Sequence, residues 1–213
     1  MTSSPSTQNF SRDEAAILQE VMNIAFGKAS ADLARVIDIR IELSVPQVEL
    51  MKADGLLQRI QQETQIYDAL SIIEQNFWGK FTGSAVLAFP SAAKKGLVTL
   101  FDEEGEEDNP LLERETLLEV GNILIGACVG KVAELLGDMV SYSPPRLNPH
   151  VGINNLAKEG VSQPLDGGDK TAVLMKTIFH FEDKDISGFL FLVANQDSMA
   201  WLRTALNNFM ANF

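Results

Sequence analysis

Two glutamate and asparagine pairs stand out among the polar residues of this chain. Glu20 with Asn23, and Glu119 with Asn122, are each three residues apart in an otherwise apolar, helix-periodic stretch. A proline follows each asparagine by 23 residues, Pro46 in one case and Pro145 in the other, so the second set repeats the first at an offset of 99 residues. Residues three apart share a helix face. Each pair would therefore present an acceptor-only carboxylate beside an amide that donates and accepts hydrogen bonds at once. At about 100° per residue, Ala16, Glu20, Asn23 and Gly27 form a narrow stripe on the first helix, and Glu115, Glu119, Asn122, Gly126 and Gly130 form its counterpart on the second. A single polar position of this kind ordinarily solvates the outer side of a core helix. The repetition weighs against that reading, because an asparagine in mid-helix is locally disfavoured and is placed so twice. Gly27 and Gly126, one turn further on, each cost about 1 kcal/mol relative to alanine. Small residues there would let another backbone come close to the asparagine, as a docking face requires.

The elements that must carry these stripes are legible in outline. Ser11 and Glu14 form an S-x-x-E capping pattern ahead of apolar residues at helical spacing, which predicts a long helix up to about residue 36. A strand is expected over 39–50 and a short helix over 55–61. A hairpin from the runs 66–77 and 81–89 follows, and then a helix over 91–101. The acidic, glycine-containing segment 102–109 reads as a linker ahead of Pro110. Beyond it the order recurs: a helix over 111–136, a strand from 139 and a polar excursion over 148–169. Strands over 171–182 and 186–194 and a last helix over 196–209 complete it. The hairpin around Gly83 parallels that around Gly188. The expected fold is α+β, a pseudo-twofold duplicated domain with long helices packed on a mainly antiparallel six-stranded sheet. The repeats would span about 11–101 and 110–209. Each half has too few strands to bury much alone, so both are expected to share one sheet and one core.

Composition narrows the function. With 213 residues, 46% of them hydrophobic, the chain can bury a substantial core. Its net charge of −12 argues against nucleic acid and against an anionic membrane surface, both of which rely on clustered Lys and Arg. Apolar runs such as 189–194 fall short of the roughly 18 residues a membrane span needs. No transmembrane helix is expected, and residues 1–10 read as a flexible tail without secretory features, which makes a cytoplasmic location the expectation. Cys128, the single cysteine, reads as a buried thiol. His150 and His180 lie 30 residues apart without ligand-type spacing, and no metal site is expected. The acidic residues Glu113 and Glu115 suit a helix N-terminus. There is no G-x-S-x-G, P-loop or G-x-G-x-x-G pattern.

The segments EVMNIAFGKASADLA from Glu20 and EVGNILIGACVGKVAELLG from Glu119, each with its proline, resemble the CheC, CheX and FliY family of chemotaxis phosphatases. The resemblance covers nearly the whole chain and is nearest to the stand-alone CheC type with two sites. It implies hydrolysis of the aspartyl phosphate on a CheY-like response regulator. The regulator would supply the magnesium ion, and this chain would bind no cofactor. Asn23 and Asn122 would each hold a water in line with the phosphorus, much as a glutamine does in GTPases. Glu20 and Glu119 would pair with the regulator's active-site lysine, and Pro46 and Pro145 would shape the strand beside the helix. Where the family carries Asp or Ser four residues before the glutamate, this chain has Ala16 and Glu115, which makes the first site the weaker expectation. A CheD-like modulator is a further partner the resemblance raises. Two alternatives stay open at this point: an adaptor that docks a response regulator or a flagellar-switch protein without hydrolysis, and a phosphatase whose regulator lies outside chemotaxis.

Overall fold

The computed structural model describes residues 11–38, 40–52, 55–101, 109–152, 171–182, 185–194 and 198–211. The tail 1–10, most of the linker and most of the polar excursion lie outside these residues. The first helix, α1, spans Arg12–Ile37 and starts as its sequence dictates. Ser11 Oγ accepts from the Glu14 N–H at 3.1 Å, and the Glu14 carboxylate accepts from the Ser11 N–H at 2.6 Å. This is a reciprocal capping box. After it come β1 (Ile41–Leu43), β2 (Gln47–Lys52), α2 (Leu56–Thr64), β3 (Ala69–Trp78) and β4 (Gly83–Pro90). A short 3-10 turn at Ser91–Ala93 leads into α3 (Lys94–Phe101). The second long helix, α4, spans Pro110–Leu135. Asn109 Oδ1 accepts from the N–H groups of Leu111 and Leu112, and Pro110 occupies the first turn, where its missing N–H costs nothing. The chain ends with β5 (Ser141–Tyr142), β6 (Arg146–Gly152), β7 (Thr171–Phe181), β8 (Ile186–Ala194) and α5 (Met199–Ala211).

Among the described residues, eight strands form one antiparallel sheet in the order β1-β7-β8-β4-β3-β5, with β2 also on β7 and β6 also on β3. The sheet is therefore six positions wide, as expected, but each edge is built of two short segments where the sequence suggested one strand. Pro46 lies between β1 and β2, and Pro145 between β5 and β6. Proline has no N–H to give to a ladder, so each edge breaks there. The edges also cross between the halves. β1 and β2 pair with β7 from the second half, while β5 and β6 pair with β3 from the first. The segment 148–152, expected in the polar excursion, belongs to β6, and 66–68 precede β3 rather than starting it.

The main core lies on the face of the sheet that carries α1 and α4, and it includes Leu97 of α3 and Leu202 and Leu206 of α5. A smaller core under α2 joins Leu56 and Ile60 to Ile72, Val86 and Phe191 on the other face. Alternate strand residues thus serve opposite cores. By length and composition α4 is apolar enough to cross a membrane, yet Leu117, Val120, Leu124, Ile125 and Cys128 are buried in the main core. Ion pairs link the helices across the halves. Lys94 of α3 reaches Glu113 of α4 at 3.0 Å, Arg203 of α5 reaches Glu14 of α1 at 3.0 Å, and Lys131 of α4 reaches Asp32 of α1 at 2.9 Å. Glu113 is therefore partnered by α3, not only by the start of its own helix.

Candidate functional site

The long helices carry the two glutamate and asparagine pairs outward. On α1, Glu20 and Asn23 are exposed between the buried Leu18, Val21, Met22, Ala25 and Phe26, with Ala16 and Gly27 exposed on the same stripe. On α4, Glu115, Glu119 and Asn122 are exposed and Gly126 and Gly130 half-buried, while Thr116, Leu117, Val120, Gly121 and Leu124 are buried. The burial pattern follows the stripes that the helical period predicts. Among the described residues, the carboxylates of Glu20, Glu115 and Glu119 and the amide of Asn23 have no hydrogen-bond or ion-pair partner. Three carboxylates and one amide are thus available to an incoming surface.

Asn122 is the exception. Its Oδ1 accepts from Gln75 Nε2 at 3.1 Å, and the same Nε2 donates to the Ser143 carbonyl at 2.8 Å. Gln75 lies on β3 and is 1% exposed. Ser143 follows β5, and its backbone N–H donates to the Asn76 carbonyl at 2.9 Å, which holds that turn against β3. Nearby, the Tyr142 hydroxyl donates to the Gly126 carbonyl at 3.3 Å, and burial pushes its pKa up to about 12.

Gly27 and Gly126 do not admit a backbone from within the chain, because nothing lies within 4 Å of where a Cβ would stand on either. They leave open surface one turn beyond each asparagine. The close approach is at Gly121 instead, where a Cβ would sit 2.5 Å from Ile73 Cγ2. Sequence reasoning passed over Gly121, Gln75 and Ser143. A signal for the first was present, since the matched segments read EVMN and EVGN and differ at the residue before the asparagine. No local pattern marks Gln75, which is 47 residues from Asn122.

Pro46 is buried and Pro145 half-buried, each at its strand break rather than on a helix stripe. His180 Nδ1 lies 2.8 Å from Ser187 Oγ within the hairpin. No group of three His, Cys, Asp or Glu side chains suited to a metal is present among the described residues. An open cavity of about 500 Å³, lined by residues including Tyr67, Pro90, Gly96 and Asp185, contains neither pair. The chemistry on offer is that of exposed helix faces.

An antiparallel sheet with two long helices on one face, each showing an outward glutamate and asparagine, defines an α+β protein whose candidate site is a pair of exposed helix faces. The CheC-like family model matches residues 14–50, the stretch that holds Glu20, Asn23 and Pro46. The chain is 24% identical over 202 residues to the CheY-P phosphatase CheC of Bacillus subtilis (strain 168), covering 91% of this chain and 94% of that protein. Among solved structures it is similar to FliY of Thermotoga maritima, with a TM-score of 0.70, 18% identity, and 94% of this chain and 99% of that one covered. It is also similar to FliM in the FliM-SpeE complex from H. pylori, with a TM-score of 0.59, 10% identity, and 93% and 96% covered. The chain is thus similar to CheC in sequence and to FliY in fold.

Proposed function

We propose that this chain is a phosphatase for the aspartyl phosphate of a CheY-like response regulator. The observation that carries the reading is the pair of exposed stripes: on two long helices, in separate parts of the chain, the same glutamate and asparagine face outward from an apolar core. The match to a CheY-P phosphatase over most of both chains supports the class of substrate. In the reaction, the water oxygen bonds to phosphorus as the bond from phosphorus to the aspartate oxygen breaks. Inorganic phosphate and a free carboxylate result, and one water proton passes to solvent. An acyl phosphate has a good leaving group, so what the regulator lacks is an oriented nucleophile rather than a strong base. The asparagine side-chain oxygen accepts a hydrogen bond from that water, which leaves the water's lone pair aimed at phosphorus. The magnesium ion that balances charge on the phosphoryl oxygens is held by the regulator. Glu20 and Glu119, one turn from the amides, pair with a lysine of the regulator and fix the docking.

The two faces are unequal in this reading. The second has Glu115 one turn before Glu119, whereas the first has Ala16 and an amide without a partner among the described residues. That inequality favours a second reading for the first face alone, in which it docks a regulator or a flagellar-switch protein without turnover. Phosphate release from a magnesium-bound, phosphorylated response regulator tests both. Wild type is expected to accelerate release, Asn122→Ala to lose most of the acceleration, and Asn23→Ala to lose the smaller share. Equal binding of the regulator without any acceleration would sink the enzyme reading in favour of an adaptor.

A further inference from the structure

We infer that Gln75 is a positioning residue for the Asn122 amide, an inference that rests on the phosphatase reading for its consequence but not for its geometry. The orientation of both amides follows from one fixed atom. The Ser143 carbonyl can only accept, so the Gln75 atom 2.8 Å away must be its NH2 group. The second hydrogen of that NH2 points at Asn122, so the Asn122 atom 3.1 Å away must be the oxygen. Oδ1 is thereby anchored on its inner side with one lone pair still free, and both Nδ2 hydrogens are left for the docking surface. The amide is held in one orientation before any partner arrives.

Three further features support this role. Gln75 Oε1 is buried and has no hydrogen-bond partner among the described residues. An orphaned buried acceptor is costly, and an apolar side chain would avoid it, so the site keeps the amide for its NH2 group. Next, Gly121 lets α4 rest directly on Ile73, two residues from Gln75 on the same face of β3, and so brings Asn122 within reach. Last, the other edge of the sheet does it differently. Arg146 pairs with Glu74 and Gln47 with Lys176, so Thr177 holds the register position of Gln75. Its hydroxyl bonds to the Ser44 carbonyl at 2.7 Å, as Gln75 does to Ser143, but its short side chain makes no bond to Asn23. Met22, fully buried, stands where Gly121 does. One face has a held amide and the other a free one.

Losing the anchor should cost the Asn122 face roughly tenfold in kcat, because a misoriented amide leaves its water out of line. The test compares Gln75→Leu in two backgrounds. With Asn23→Ala, where the Asn122 face alone turns over, it is expected to lower kcat about tenfold with KM unchanged; with Asn122→Ala, where the Asn23 face alone turns over, it is expected to cost nothing further. Gln75→Thr, which copies the side chain of the other edge, should behave like Gln75→Leu. Loss of the same size with or without Asn122 would overturn the inference in favour of a general structural role, and so would no loss at all. A readout independent of turnover is the Asn122 side chain in NMR: one χ1 rotamer in wild type and averaged couplings in Gln75→Leu. If wild type fails to dephosphorylate the regulator, the phosphatase reading falls. The rotamer measurement still decides on Gln75, since averaging in the wild type would overturn its role.

Discussion

An amide proposed to orient a water serves best when its oxygen and nitrogen ends are told apart, and on this molecule Gln75 does that for Asn122 while Asn23 has no such partner among the described residues. Removing one water-positioning amide is expected to cost on the order of 100-fold at its own face, or about 2.7 kcal/mol of barrier. In the proposed reaction the total rate would fall less, because the other face would still turn over. At the same scale, Cys128 is chemically quiet. It is fully buried in α4, and burial pushes its thiol up to about 12. The thiolate is the reactive form. Native protein should therefore leave a disulfide reagent such as DTNB unreacted over the time in which the unfolded chain releases one equivalent of thiolate; rapid reaction of the folded protein would contradict the packing of α4. The outward glutamates and asparagines were legible in the sequence from helical period and from their repetition, and the buried cysteine from its apolar surroundings. Gln75 was not, because its contact joins a strand to a helix far along the chain, and no local periodicity records which strand lies under which helix.

At the scale of the elements, two glycines of α4 that look alike in the sequence are opposites in the fold. Gly121 is pressed against Ile73, so Gly121→Ala must push the helix from β3 and should destabilise by about 1–3 kcal/mol. Gly126 has open space, and Gly126→Ala should stabilise by up to about 1 kcal/mol through helix propensity. Denaturant unfolding of the two variants checks the pair; the same sign for both would show that α4 does not sit on β3 as described. On the other face, α2 is fastened by Glu63, which pairs with Arg59 and, at 2.6 Å, with Lys176 of β7. Burial would raise the Glu63 carboxyl, but Lys176 and Arg59 outweigh it and hold the group below its ordinary 4.5. A carboxyl lowered in the folded state contributes stability that is present above about pH 4.5 and is lost as pH falls through the folded value. Glu63→Gln should accordingly be less stable than wild type at pH 7, with the gap narrowing below pH 4.5 in denaturant midpoints measured across that range. A gap that does not change with pH would remove the ion pair from the account. The capping box at Ser11 and the prolines were readable as local rules. That each proline would split an edge strand in two was not, because an edge is defined only once its neighbour is known.

For the whole molecule, the decisive feature is that each edge of the sheet is supplied across the halves: β1 and β2 line β7, and β5 and β6 line β3. The sequence suggested a helix, strands and a hairpin in each half and one sheet between them, and one sheet does hold the strands of both. The exchange of edges was not, since a strand's own residues do not name its partner. Neither half can complete its hairpin's edge alone, so chains cut within the linker 102–109 should be largely unfolded separately and regain native circular dichroism when mixed. Independent folding of either fragment would contradict the interlocked sheet. The same layout places both long helices side by side on one face, bridged by Asp32 and Lys131, and so turns both glutamate and asparagine stripes to the outside of one layer. The central claim is that these two amides orient the attacking water. Its most direct test is single-turnover decay of a magnesium-bound, phosphorylated CheY-like regulator with wild type and with Asn23→Ala/Asn122→Ala, binding being measured in parallel. The double variant is expected to bind the regulator as wild type does while the decay returns to the regulator's own rate. Acceleration that survives loss of both amides would contradict it.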